Sequence, residues 1–160
     1  MGRRYTARIA GLINGPIDLF EITAPTSAIV VIHAWEIAQV SDVGVAQEEV
    51  LRLVTIKGVG AVTSGSGGLT LTPHPIHNGD PNFAGVVEWF NQTLMAAGTG
   101  ALKELRQLAW NVRLQYEHCY EVARRPVIAP GDRWVLRAPV APSPADLLDI
   151  RATVVFEEVG

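Results

Sequence analysis

Between Leu108 and Tyr120 the even positions read Leu108, Trp110, Val112, Leu114, Tyr116, His118 and Tyr120, and the odd ones include Asn111, Arg113, Gln115 and Glu117. Alternation with period two over such a length predicts a strand with one buried face. A helix competes, because Leu102, Leu105, Ala109, Val112 and Tyr116 recur at helical spacing. Aromatic and β-branched residues beyond 110 favour the strand. What remains for a helix is at most a short one near 101–107.

Other segments behave alike. The predicted strands cover 4–10, 17–23, 27–39, 48–58, 69–72, 86–93, 132–138 and 150–158, divided by Gly, Pro, Asn and Asp punctuation such as "NGP", "APTS" and "NGDPN". Segment 27–39 is apolar on both faces, as expected of a central strand covered twice. Segments 132–138 and 150–157 read as a closing hairpin with a Pro-rich turn. With no long amphipathic helix between strands, the class is all-β, an antiparallel β-sandwich. A jelly-roll-like arrangement is the first expectation and an immunoglobulin-like one the second. Residues 1–12 read as an N-terminal arm or edge strand, and 13–160 as a single β-sandwich domain.

Composition narrows the function. The chain has 160 residues, 48% hydrophobic and 18% charged, with a net charge of −3, which excludes a disordered chain and speaks against a nucleic-acid partner. The longest apolar run, Ala28–Ile32, is too short for a membrane span. The segment "MGRRYTARIAG" lacks the apolar core of a signal peptide, so export is not expected. Cys119 is the one cysteine. It has no disulfide partner, and strand alternation turns it away from His118, so a buried or half-buried structural thiol is expected.

The stretch "TSGSGGLTLTPHPIHNGD" (63–80) invites two chemical readings. A phosphate loop would need a lysine and a following helix, and here Gly67-Gly68 leads into strand-like Leu69. A zinc site would need three or four converging ligands. His74 and His77 have only Asp80 nearby, while His33 and His118 sit among apolar residues as core histidines do. Glu48-Glu49 and Glu157-Glu158 are adjacent pairs on opposite strand faces, and Asp42 could approach Glu48 or Glu88 only in space. No catalytic residues, metal or cofactor are therefore assigned.

At "SDVGVAQEEVLRLVTIKG" (41–58) and "TSGSGGLTLTPHPI" (63–76) the chain resembles a family of tailed-bacteriophage virion-associated proteins. "VLRAPVAPSPADLLDIRATVVFEEVG" (135–160) is similar more loosely. His74 stands where those proteins tend to carry Arg. The resemblance implies a virion structural protein made in the host cytoplasm, most concretely a capsid decoration (cement) protein. Its implied partners are the major capsid protein or other virion subunits, in a homotrimer.

Residue chemistry suggests where such contacts would lie. Arg3, Arg4, Tyr5 and Arg8 form a basic arm suited to a neighbouring subunit or an acidic capsid face. Ser64, Ser66, His74 and His77 fall in loops expected at a tip. Of Trp35, Trp89, Trp110 and Trp134, most are expected in the core and one or two at a contact. Two other classes stay open: a tail- or fibre-associated module binding glycans through Trp89 or Trp134 beside Asp80, Asn82 or Asn91, and a cupin-like metalloenzyme using His74, His77 and His118.

Overall fold

The structure, a computed structural model, describes residues 2–40, 50–142 and 148–160. The strands among them are β1 (Arg3–Ile13), β2 (Ile17–Thr23), β3 (Ile29–Gln39), β4 (Val50–Val59), β5 (Leu69–Leu71), β6 (His74–Pro75), β7 (Val86–Asn91), β8 (Ala101–Asn111), β9 (Tyr116–Cys119), β10 (Val127–Ile128), β11 (Arg133–Ala138) and β12 (Leu148–Val159). The only helical element among the described residues is one 3-10 turn, Val122–Arg124.

Two antiparallel sheets result. Sheet A runs β10-β3-β12-β1-β6, with β9 also on β3, and sheet B runs β5-β7-β2-β11-β4-β8. The pairing is nested: β1 with β12, β2 with β11, β3 with β9 and β10, and β4 with β8. Inward side chains of both sheets fuse into one core, with Trp35, Trp110 and Trp134 at most 1% exposed beside Tyr5, Phe20 and Phe156. The all-β antiparallel sandwich is thus as the alternation indicates.

Several local expectations are corrected. Residues 101–107 are not helical, because β8 pairs with β4 along its whole length. Leu102 packs on the outer side of sheet B, while Leu105 sits at a bulge, 43% exposed. Their helical spacing buries no common face. The predicted strand 108–120 breaks after Asn111. There the Asn111 carboxamide accepts from the Arg113 N–H (3.1 Å) and the Trp110 indole N–H donates to the Leu114 carbonyl (2.7 Å), closing a turn. Local side-chain bonds of this kind compete with a continuing ladder. Strands β11 and β12 do not pair with each other but lie in different sheets.

The strand buried on both faces is β2, not β3. In β3 only one face is deeply buried, with Val30, Ile32, Trp35 and Ile37 inward. Of the two expectations for residues 1–12, the strand is what forms: Arg3–Ile13 pairs with β12 residue by residue, and β6 touches its other side at Tyr5 and Thr6 alone. Asp42, Glu48 and Glu49 lie outside the described residues.

Candidate functional site

The two outer faces of the sandwich differ, and the difference starts with charges in β2. Strict alternation would put Asp18 and Glu21 on opposite faces. A register shift opposite Leu136/Arg137 instead leaves Asp18 against Arg137 and Glu21 against Val135, so both acids point outward from sheet B. Both are fully buried there. Asp18 pairs with Arg137 (Nη2–Oδ2 3.0 Å), and Glu21 pairs with Arg133 (3.0 Å). Burial pushes the Asp18 carboxyl up, and the Arg137 hydrogen bonds work against that rise.

Chain from the 60–68 and 92–100 regions covers this charge pair. Asp18 accepts from the Met95 N–H (2.7 Å), and Glu21 accepts from the Gly65 N–H (2.9 Å), the Ser64 hydroxyl (2.6 Å) and the Asn91 amide (3.1 Å). The two stretches bridge each other at Thr63–Ala96 and Ser66–Thr93. They bury a small second core of Val54, Ile56, Val62, Met95 and Val135. Each such apolar side chain contributes about 1.5–3 kcal/mol when fully buried.

The glycine-rich stretch is therefore a cover strip rather than a tip. A side chain at Gly68 would collide with the Trp89 carbonyl, and Gly67 has φ +85°, a conformation glycine adopts without strain. Ser64 is committed to Glu21 inside the molecule. Only Ser66 keeps an exposed side chain, far from the basic strand in the other sheet.

Sheet A has no such cover among the described residues. Register fixes its outward rows. Arg8, Thr153, Glu36 and Glu117 lie side by side across β1, β12, β3 and β9, followed by Thr6, Val155, Ala34 and Cys119. Arg151 stands between Ala10 and Ala38. Small side chains between charges leave shallow hollows. One of about 320 Å³ is lined by Thr6, Arg8, Glu36, Ile76, Glu117 and Thr153, and one of about 430 Å³ adjoins it over Arg8, Glu36 and Arg151. A third, about 580 Å³, lies over Arg3, Arg4, His77, Asp80 and Glu157.

This face gathers most of the residues singled out from the sequence. Arg4 and Arg8 project from β1, Thr6 of β1 is opposite His74 of β6, and His77 follows β6. Arg3 is exposed and pairs with Glu158 at 3.6 Å. Tyr5 is the exception. It is fully buried, stacks on Phe156, and its hydroxyl donates to the Pro81 carbonyl (3.0 Å), so it anchors the strand and cannot contact a partner. His33 fills the bulge of β3 with Nε2 2.9 Å from Glu157.

Cys119 is exposed rather than buried, and its thiol donates to Glu117 at 3.2 Å. That hydrogen bond raises its pKa, which lowers its thiolate fraction. His118 turns the other way, onto Trp35 and Tyr120. Among the described residues no three His, Cys, Asp or Glu side chains are placed to hold a metal ion. Trp134 is fully buried and Asn91 is spent on Glu21, so the sugar-binding grouping expected around them is not assembled.

Sequence reasoning missed the Asp18, Glu21, Arg133 and Arg137 network. Its signal was two acids inside the apolar run "IDLFEIT" and two arginines at alternate positions of "DRWVLRA".

Fold and site together define an antiparallel β-sandwich with one outer face partly covered by its own chain over β2 and β11, and the other charge-patterned and uncovered among the described residues. Comparison with known protein families, with curated proteins and with solved structures finds no match for this chain.

Proposed function

We propose that this chain is a non-enzymatic structural subunit of a tailed-phage virion, a capsid decoration protein that binds the major capsid protein lattice as a homotrimer. The observation that carries the reading is the unequal treatment of the two faces. Sheet B hides the outward charges of β2 and β11 under two loops, leaving Arg52 and Glu104 exposed only toward its β8 side, whereas sheet A presents Arg4, Arg8 and Arg151 without an ion-pair partner among the described residues. These arginines, set among Glu36, Glu117 and Glu157, suit a protein surface of complementary charge pattern, which they steer and orient more than they tighten. The nested pairing of β1–β4 with β8–β12 also supports reading the sandwich as a jelly roll, an architecture recurrent in viral capsid domains.

The glycan-binding alternative lacks comparable support. Trp35, Trp110 and Trp134 are inside the core, and Trp89 is half-buried edge-on to Phe90. Electron microscopy of virions made with and without the gene tests the main reading. Loss of surface knobs and of heat tolerance in the deleted particles is expected, and particles unchanged in both respects would refute it.

A further inference from the structure

We propose that copies of this chain join side by side through backbone pairing, the open edge of β1 in one copy meeting the open edge of β8 in the next. This rests on the homo-oligomeric reading above and names its seam.

Edge length decides which strands can pair with another copy. Strands β5, β6, β9 and β10 have only 3, 2, 4 and 2 residues, and short edges are poor templates for another chain. Strand β8 has 11 residues and, among the described residues, only β4 beside it. Strand β1 meets β6 at Tyr5 and Thr6 alone, so from Ala7 to Ile13 that side has no strand among the described residues.

The direction of the peptide groups follows from one hydrogen bond. The Ile76 N–H donates to the Arg4 carbonyl (2.8 Å), so Arg4 turns its backbone polar groups toward the β6 side. Register with β12 is unbroken along β1. Arg8, Ala10 and Leu12 therefore turn their N–H and C=O groups the same way, past the end of β6. Their side chains are exposed, Leu12 by 53%.

Strand β8 answers in kind. Leu105 is 43% exposed at its bulge, flanked by Glu104 and Arg106. A bulge and charges on an edge discourage indiscriminate pairing, so this edge selects its partner. Arg8 on one edge and Glu104 on the other are of opposite charge, and each edge shows one leucine.

The two edges lie on opposite sides of the sandwich. Gly11 of β1 packs against Phe90 of β7, whereas Leu105 and Arg106 of β8 share a cleft with His118 and Tyr120 at the β9 side. A contact between them uses two different surfaces, and such heterologous contacts close into rings when the rotation between copies closes and run on as filaments when it does not. A three-membered ring is the trimer proposed above.

Native mass spectrometry of the full chain tests this with two variants. Ala10→Pro removes an outward N–H while sparing the β12 ladder, and Leu105→Asp charges the other edge; circular dichroism verifies folding. Arg8→Glu replaces Ala10→Pro should the latter not fold. The wild type is expected as a closed oligomer, each variant as a monomer with association weakened at least about tenfold, and the 1:1 mixture as a heterodimer through its one intact pair of edges. Oligomers retained in both variants, or a mixture that stays monomeric, would overturn the edge seam while leaving the homo-oligomer reading intact. A monomeric wild type would overturn both.

Discussion

Arg137 of β11 reaches across to Asp18 of β2 beneath the cover strip, its Nη2 3.0 Å from Oδ2, and the same nitrogen donates to the Met95 carbonyl at 2.8 Å. One guanidinium thus joins two strands and the loop above them. Removing one partner leaves the other charge buried and alone, which costs about 3–5 kcal/mol. Arg137→Met and Asp18→Leu are each expected to lose that much in urea unfolding. The double variant should recover most of it, since an apolar pair of similar volume fits beside Val135 and Met95. A double variant as unstable as the sum of the singles would contradict this.

Close backbone approach gives a second prediction. Gly68→Ala places a methyl group against the Trp89 carbonyl and should cost roughly 1–3 kcal/mol by forcing the strip off β7. Gly15→Ala meets no atom within 4 Å and should be neutral or slightly stabilising. Equal effects of the two in thermal melts would refute the packing described for the strip.

Stability should fall on mild acidification. Burial, the largest cause, lowers the pKa of both His33 and His118 below 6.5. For His33 the Glu157 carboxylate opposes that shift, and Arg125 and Arg4 add to it. Between the lowered values and 6.5 the unfolded chain holds more protons, so stability is complete above that window and is lost as pH drops through it. A lower melting temperature at pH 5.5 than at pH 7.5 is expected, with the difference reduced in His33→Gln, His118→Gln. The raised Asp18 carboxyl acts with opposite sign, because there the folded form gains a proton first. A melting temperature that rises toward pH 5.5 would contradict the assignment.

The Cys119 thiol offers a local check on the open face. Glu117 accepts a hydrogen bond from it and raises its pKa, so alkylation at neutral pH should be slow for so exposed a cysteine. Glu117→Gln removes the charged acceptor and should speed the reaction several-fold. An unchanged rate profile against pH would remove this contact from the account.

Much of the fold was legible because alternation survives wherever a strand has one wet face. The run of β12 from Ile150 to Phe156 and the inward positions of β1 follow the rule residue by residue. It failed at local irregularities. The bulge at Leu19 brought Asp18 and Glu21 to one face, the Asn111 side chain stopped β8, and a pattern of leucines at helical spacing in 101–107 reflected nothing that packs together. The contact face was half legible. Arg3, Arg4 and Arg8 lie on one strand in the sequence, but their meeting with His74 and His77 depends on β6 crossing to β1, a non-local pairing that no spacing encodes. Tyr5, grouped with the arginines by proximity in sequence, is carried inside by the same alternation that turns Arg4 and Arg8 out.

The most direct test of the proposed decoration role adds purified protein to tailed-phage capsid particles made without it, followed by sedimentation. The account predicts saturable co-sedimentation, weakened by salt and by the combined Arg4→Glu, Arg8→Glu, Arg151→Glu substitution in a chain that still folds. Protein remaining in the supernatant at saturating concentration, or binding indifferent to that triple charge reversal, would contradict it.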